Sequence, residues 1–283
     1  HGFADLAPLR LDTGARTLYL TVRPPGGAPR RIRIAPGPRR TARVRVLGGG
    51  APTTSQRAHL ARAATDVLRL DQDLSGLYGI AADDPDLAWI AAGAGRMLRS
   101  PTVWEDVVKT VCTTNCSWGL TTKMVTALVT HLGEPAAGHR ADPLTNAFPT
   151  PEVMAAQPES FYREVVRSGY RAPVILRLAG MVAAGEIDIE SLASVSREDL
   201  SDDQIEQRLL DLPGVGPYAA AHIQMTLGRN SRLILDSWTR PTYARLTGRI
   251  KVPADTTIAR RFRRYGPEAG LAFWLFVTRD WVI

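Results

Sequence analysis

The residues whose types and spacing could do chemistry lie between Leu210 and Trp238. The stretch Leu-Pro-Gly-Val-Gly-Pro, residues 212–217, predicts a helix ending near Leu210, a tight turn and a second helix beginning at Pro217. Glycines allow close backbone approach, and the N–H groups at a helix start attract an anion such as phosphate. An ordinary turn between two helices explains the same residues, so the hairpin alone leaves both interpretations open.

A carboxylate follows the hairpin at the end of an apolar run. Leu233-Ile234-Leu235 leads directly into Asp236, eighteen residues after Tyr218. A carboxylate beside buried apolar residues costs desolvation free energy unless it has a partner or a task. Asp236 is therefore either a reactive group or the cap of the following helix.

Composition limits the class of protein. The chain has 283 residues, of which 45% are apolar and 22% charged, as in a globular protein of about two domains. It lacks the run of about 18 apolar residues that a membrane span needs, and an apolar signal segment at its start. Two cysteines, Cys112 and Cys116, are too few for a disulfide framework, a four-cysteine zinc site or an iron–sulfur cluster. We expect a soluble intracellular protein with both thiols packed on one helix face.

The positive charge is concentrated in one segment. The net charge is +7, and residues 1–50 hold ten arginines and two aspartates, a balance of 10 − 2 = +8. Such a segment is typical of proteins with a polyanionic partner, although codon bias also produces arginine-rich chains. Because arginine alternates there with isoleucine and valine, we expect the arginines on the outer face of a sheet.

Hydrophobic periodicity predicts the α+β class. Residues 18–22, 31–34 and 42–46 alternate with period two, as short antiparallel strands do, whereas the pattern is helical after residue 55. Helices are expected to start at Ser100-Pro101, at Thr150-Pro151 and at the capping box Ser201-x-x-Gln204. The predicted architecture is a small antiparallel sheet followed by an all-α region of about ten helices.

The hairpin and Asp236 together resemble the signature of the helix-hairpin-helix DNA glycosylases, the relatives of endonuclease III, 8-oxoguanine glycosylase and 3-methyladenine glycosylase II. The signature spans residues 210–236, and the resemblance extends from about Trp104 to Asp280. The sheet is similar to the N-terminal sheet of the oxidised-guanine and alkylated-base branches. The resemblance implies an N-terminal β domain at 1–54, a connecting helix at 55–75, and an all-α domain at 76–283 made of two helical subdomains with the active-site cleft between them.

The resemblance assigns a catalytic role to Asp236. The family's essential carboxylate falls there and would stabilise the positive charge that develops on the sugar when the base departs. Bifunctional members carry a nucleophilic lysine at the position of Tyr218. Lys109, Lys123 and Lys251 all lie outside the motif, which predicts water as nucleophile, an abasic product and no strand cleavage.

Further positions correspond to the family's DNA contacts. Gly214, Val215, Gly216 and Tyr218 would meet the backbone of double-stranded DNA that contains a damaged base. In the 8-oxoguanine branch, the residue matching Asn115 fills the gap left by the flipped base. There, the residue matching Tyr170 intercalates and the one matching Arg171 faces the orphaned base. The structural alternatives are a helix-capping asparagine, a core tyrosine and a surface arginine.

The expected base pocket is aromatic. Leu120 and Phe273 replace the arginine and the glutamine that the oxidised-guanine branch uses, which argues against that lesion. The aromatic side chains are those of Trp118, Tyr218, Trp238, Phe273 and Trp274. Such rings suit a cationic alkylated purine such as 3-methyladenine through cation–π attraction, although aromatics at helical spacing also form cores. The alternatives are a glycosylase of the same fold for oxidised guanine or deaminated bases, and a non-catalytic DNA-binding protein.

The resemblance also bears on cofactors and location. The family's hairpin tends to hold a monovalent cation, K⁺ or Na⁺, through main-chain carbonyls, here those of Leu210, Leu212 and Val215. No cofactor is expected to be required, and an iron–sulfur cluster is excluded by the cysteine count. We expect a monomer without membrane contact, in the cytoplasm with the nucleoid.

Overall fold

The computed structural model describes residues 2–39 and 41–281. It begins with an antiparallel sheet whose strands pair in chain order. The strands are β1 (Arg10–Asp12), β2 (Thr17–Val22), β3 (Arg30–Pro36) and β4 (Ala42–Leu47). Alternation in the sequence predicts the last three, whereas β1, at three residues, is too short to show it.

The two faces of the sheet differ as the alternation predicts. Leu20 and Ile32, directly opposite each other in β2 and β3, are fully buried in a cluster with residues of the first helix. The opposite face carries Arg33 and Arg45, directly opposite each other in β3 and β4. The apolar face therefore forms a core, and the arginines point away from it.

Arg31 corrects the expectation that the arginine face is wholly outward. Its side chain is buried and donates hydrogen bonds to the carbonyl of Pro8 at 2.6 Å and to Thr21 Oγ1 at 3.3 Å. Burial, and next the positive charge of Arg10, lower the pKa of Arg31 to about 10. The chain before β1 covers this end of the face, a contact that alternation within a strand does not reveal.

The predicted α+β class is confirmed, since helices follow the sheet. In the described part of the chain they are α1 (Thr54–Val67), α2 (Ser75–Ala82), α3 (Val103–Thr113), α4 (Trp118–Leu132), α5 (Pro151–Ala155), α6 (Ala172–Ala183), α7 (Asp202–Leu210), α8 (Pro217–Thr226), α9 (Thr239–Leu246), α10 (Asp255–Phe262) and α11 (Ala269–Val277). Within residues 2–39 and 41–281, none of the helices has the length and apolar character to cross a bilayer.

Two of the three predicted helix starts are confirmed. Ser201 and Gln204 form the capping box of α7, and Thr150 caps α5. The start at Ser100 is wrong: α3 begins at Val103 because the hydroxyl of Thr102 caps it.

A distant carboxylate secures that later start. Glu190 accepts hydrogen bonds from the N–H groups of Val103 and Trp104, at 3.0 and 2.9 Å. Ser100 is instead buried, and its N–H donates to Asp106 Oδ1 at 2.9 Å. Glu190 lies 87 residues from Val103 in the sequence, so no local pattern could locate this start.

The chain divides into two compact units. Unit 1 comprises His1–Leu70, Leu98–Ser194 and Leu212–Gly214, and unit 2 comprises Asp71–Met97, Val195–Asp211 and Val215–Ile283. Unit 1 holds the core between the sheet and α1. The core of unit 2 is aromatic, with ring contacts among Tyr243, Phe262, Phe273 and Phe276. The domain boundaries near residues 54 and 76 stay predictions.

Candidate active site

Asp236 lies just before α9 in unit 2, and its carboxylate caps that helix. Oδ1 accepts hydrogen bonds from the N–H groups of Trp238 and Thr239, at 2.8 and 2.6 Å. The hydroxyl of Thr239 accepts one from the N–H of Asp236 at 2.8 Å, so each side chain bonds the other's backbone. Ile234, fully packed in the core of unit 2, anchors the preceding apolar run. The helix-cap interpretation therefore holds for one of the two carboxylate oxygens.

The other oxygen of Asp236, Oδ2, receives no hydrogen bond from a described residue. The neighbouring cation, Arg240, is engaged elsewhere: its Nε and Nη2 atoms donate to both oxygens of Asp255, at 2.8 and 2.9 Å. Asp236 is half-buried, and the two hydrogen bonds to Oδ1 hold its carboxylate in one orientation. Such an anion can stabilise a positive charge that develops beside it.

Three tryptophans form a cluster next to this carboxylate. Trp238 is two residues from Asp236, and its ring centre lies 6.2 Å from that of Trp274 and 5.2 Å from that of Trp281. The rings of Trp274 and Trp281 are 6.1 Å apart. Trp238 is 40% exposed and Trp281 59%, so parts of these two side chains reach the solvent. Trp281 is a candidate that sequence reasoning missed, because it comes after the last helix of the motif.

Phe273 lies in the core instead of at the surface. Its side chain is fully buried and packs edge-on against Phe262 at 5.4 Å, with Tyr243 at 6.4 Å. An aromatic residue without exposed surface cannot offer its face to a base. The structure thus brings Trp238 and Trp274 of the expected pocket into contact with each other, whereas Phe273 belongs to the buried core of unit 2.

Tyr218 is half-buried on the first turn of α8 and packs on the core of unit 2. Its ring lies 6.1 Å from that of His222, one turn further along the helix. Burial lowers the pKa of His222 to about 4, so its imidazole is neutral at physiological pH. At physiological pH the helix neighbour of Tyr218 therefore carries no charge.

The predicted hairpin is present between α7 and α8. Gly214 adopts a left-handed φ of +76°, and a Cβ there would collide with Val174, so only glycine fits. A Cβ on Gly216, by contrast, would meet nothing within 4 Å. No side chain caps the start of α8.

The hairpin contains the three main-chain carbonyls that are expected to hold a cation. No described backbone N–H outside the helices and no described side chain donates to the carbonyls of Leu210, Leu212 or Val215. Leu212 and Val215 are both buried. Leu210 is the last residue of α7 and Val215 directly precedes the residue before α8, so these carbonyls belong to the hairpin, and the cation stays a prediction.

The expected DNA-intercalating residues lie together in unit 1. Tyr170 is exposed, and its hydroxyl lies 3.4 Å from Thr114 Oγ1. Asn115 is exposed with a left-handed φ of +46°, a conformation that asparagine tolerates after a helix end.

Arg171 differs from the expected surface residue. It is buried, donates hydrogen bonds to the carbonyl and hydroxyl of Thr114, and lies over the ring of Tyr170 at 4.5 Å. Arg171 thus fixes Tyr170 and the Thr114–Asn115 turn, with little of its own surface exposed.

Other candidates from the sequence have packing or polar partners within unit 1. Trp118, at the start of α4, is 47% exposed and packs against Gly2, where a Cβ would lie 2.5 Å from the ring. Lys109 is fully buried and donates to Glu105 at 2.6 Å, so its amine is not available as a nucleophile. Cys112 is buried, with its pKa raised to about 12 by burial. Cys116 lies beyond the end of α3, so the expected shared helix face for the two thiols is wrong.

Comparison with solved structures identifies the fold. A 3-methyladenine DNA glycosylase from Archaeoglobus fulgidus aligns with a TM-score of 0.75 and 19% identity, over 97% of this chain and 90% of that chain. An 8-oxoguanine glycosylase/lyase from Clostridium acetobutylicum, bound to double-stranded DNA with cytosine opposite 8-oxoG, aligns at 0.69 and 18%, over 93% and 89%. MBOgg1 in complex with a low-affinity DNA ligand aligns at 0.70 and 20%, over 98% and 94%.

These alignments confirm the fold that the hairpin and Asp236 predict: the chain has the fold of DNA glycosylases. By sequence, no protein-family model and no characterised protein matches it.

Proposed function

We propose that this protein is a monofunctional DNA glycosylase that hydrolyses the N-glycosidic bond of an alkylated purine in double-stranded DNA. The observation that carries the proposal is the half-buried carboxylate of Asp236, with Oδ1 anchored by two backbone N–H groups and Oδ2 without a described donor. A cap alone needs one oxygen, and pure DNA binding gives no reason to place a carboxylate near a polyanion. The glycosylase fold supports the same reaction class.

In the proposed mechanism, the damaged nucleotide leaves the base stack and its C1′–N bond breaks, with the bonding electrons departing on the base. The sugar becomes an oxocarbenium-like cation, which Asp236 Oδ2 stabilises. Water then adds to C1′ and releases one proton, which leaves free base and an abasic site. Strand cleavage is not expected, because Tyr218 replaces the family's lysine and Lys109 is buried in an ion pair.

The tryptophan cluster supports an alkylated, cationic base as substrate. A positive ring is attracted to the faces of Trp238, Trp274 and Trp281, and a cationic purine departs as a neutral base without a general acid. The neighbour from Archaeoglobus fulgidus is a 3-methyladenine glycosylase, which favours the same class.

We further propose that Tyr170 enters the stack when the base leaves, with Asn115 beside it. Its exposed ring and its support from Arg171 and Thr114 give it a fixed position for that role. Tyr170→Ala should lose flipping, measured with a fluorescent base analogue, while much of the phosphate-driven affinity remains. Unchanged flipping would remove Tyr170 from the mechanism.

Backbone phosphates are proposed to bind at the hairpin, through Gly214, Val215, Gly216 and the uncapped start of α8. A monovalent cation on the carbonyls of Leu210, Leu212 and Val215 would add positive charge there. The protein would act as a monomer on DNA.

A second candidate is excision of oxidised guanine. The similarity to 8-oxoguanine glycosylases favours it, while Phe273 and Leu120 in place of that branch's glutamine and arginine oppose it. The deciding experiment measures free bases released from methylated genomic DNA by chromatography, with borohydride trapping in parallel. We expect methylated purines and no trapped adduct. Release only from oxidised or deaminated duplexes would replace the substrate, a trapped adduct would refute monofunctional action, and DNA binding without any release would leave a non-catalytic binder.

A further inference from the structure

The arginine-rich face of the N-terminal sheet has a charge that the fold itself does not balance. Arg10, Tyr19, Arg33 and Arg45 are in successive register across the four strands. Arg43 lies on the same face of β4, two residues before Arg45. Arg10, Arg43 and Arg45 are exposed and Arg33 is half-buried, so this face, hereafter the arginine face, is open to solvent.

These four arginines are not used to stabilise the protein. None of them makes an ion pair or a side-chain hydrogen bond with a described residue, whereas Arg23, Arg30 and Arg31 of the same sheet region all have such partners. Arg33 and Arg45 are directly opposite each other, an arrangement in which like charges destabilise a sheet. The repulsion within this pair therefore lowers the stability of unit 1, and a bound anion would reduce that repulsion.

Two carboxylates border the edge strand, and that of Asp5 accepts a hydrogen bond from the N–H of Leu11 at 3.2 Å. Asp12 lies on the same face at the edge strand, and its Oδ1 accepts from the N–H of Ala15 at 2.9 Å. Asp142 acts on the buried Arg31, which is outside the exposed row. Opposite the exposed Arg10 and Arg43, the register instead places Tyr19 and Ala35.

We propose that the arginine face binds the phosphate backbone of duplex DNA, as a second contact surface in addition to the hairpin and Tyr170. Four strands spaced by roughly 4.8 Å set the row at about 14 Å, a length over which the backbone of a duplex presents several phosphates. Planar guanidinium groups bind phosphate oxygens in pairs, and an unpaired row of them matches a regular row of anions. The choice of DNA as the polyanion rests on the proposed function.

The test measures the affinity of the full chain for an undamaged 40-base-pair duplex by fluorescence anisotropy between 50 and 300 mM NaCl. The triple variant Arg33→Gln, Arg43→Gln, Arg45→Gln should reduce the slope of log Kd against log salt by roughly 2 to 3, since each lost phosphate contact removes about 0.9. Its affinity near 100 mM salt should fall at least tenfold. The matched Lys variant at the same three positions keeps the charges and should keep most of the slope.

Loss of folding is excluded as an explanation by thermal unfolding, because removing opposed like charges should leave the melting temperature equal or higher. An unchanged slope in the Gln variant would overturn the proposal. So would unchanged DNA binding together with lost binding of a poly-glutamate peptide, which would assign the face to an acidic protein.

The outcome is separable from that of the proposed function. If no lesion is excised but the slope falls, the arginine face binds DNA and the glycosylase proposal fails. If excision by Asp236 is found and the slope is unchanged, only the proposal for the arginine face fails.

Discussion

Asp84 and Asp236 are two carboxylates of unit 2 with opposite surroundings. Asp84 is 1% exposed, and its oxygens accept hydrogen bonds from Arg261 at 2.9 and 3.0 Å, Tyr265 at 2.7 Å, Arg264, and the N–H of Asp86 at 3.1 Å. Burial disfavours its charge, but these donors prevail and hold the pKa of Asp84 well below its usual range. Asp236 is half-buried and has one oxygen bonded and one without a described donor.

The difference separates a structural carboxylate from one available for chemistry. The oxygens of Asp84 accept five hydrogen bonds, four of them from side chains of α10 and the turn after it, which join the segment after α2 to α10. Asp236 spends only Oδ1 on the helix start, which fixes its orientation without saturating it. The desolvation free energy of the Asp236 carboxylate is therefore only partly compensated in the folded protein. A cation that forms beside this carboxylate in the transition state can recover the remainder.

The largest effect is expected for Asp236→Asn. Excision of methylated purines should fall about 10³-fold, or about 4 kcal/mol of transition-state stabilisation, because the neutral amide cannot offset the sugar cation. The melting temperature should hardly change, since asparagine caps a helix as well as aspartate does. Single-turnover base release with excess enzyme measures the rate, and excision within severalfold of wild type would refute the mechanism.

Asp84→Asn should show the reverse behaviour. Removing one charge from a buried, hydrogen-bonded cluster is expected to lower the free energy of unfolding by about 3 kcal/mol. Excision per folded molecule should stay within about twofold below the melting transition. The matched control is Asp86→Asn, a more exposed partner of Arg261 and Arg279, which should cost less than about 1 kcal/mol. Urea denaturation compares the three proteins, and equal losses for both variants would contradict the assignment of Asp84 as the central anion.

The contrast between these carboxylates was only partly predictable from sequence. Asp236 could be found because an apolar run and a glycine hairpin mark its place within 27 residues. Its cap could also be expected, since Asp236 and Thr239 are local partners. Asp84 carries no such signal, because its guanidinium donors are 177 and 180 residues away. The Glu190 cap of α3 escaped prediction for the same reason, and Trp281 did so because it lies beyond the last helix of the motif. Phe273 and Trp274 are adjacent in the sequence and differ only in packing.

His222 and Asp84 should differ in how they affect the pH dependence of stability. Its pKa is lowered by burial from 6.5 to about 4, so between these values the unfolded chain binds a proton that the folded chain does not. Stability should therefore rise with pH across this window, by up to about 1.4 kcal/mol per unit, and be fully present above about pH 6.5. His222→Gln should flatten this dependence between pH 5 and 7 in urea denaturation. Asp84 stays ionised throughout this range, so the free energies of unfolding of wild type and Asp84→Asn should differ by a constant amount. A difference that changes between pH 5 and 7 would contradict this assignment.

The smallest effect is expected at the tryptophan cluster, where a variant should change the excision of a cationic base more than that of a neutral base. An exposed cation–π contact contributes about 1 kcal/mol, so Trp281→Ala should lower excision of cationic 7-methylguanine roughly fivefold. Neutral hypoxanthine should lose less, because it meets the ring only by stacking, and Trp281→Phe should keep an intermediate rate on the cationic base. Competition assays with both lesions in duplexes of one sequence measure the ratio. An equal loss on both bases would show that Trp281 supports Trp238 beside Asp236 without selecting charge, and the preference for alkylated purines would then depend on the two inner rings.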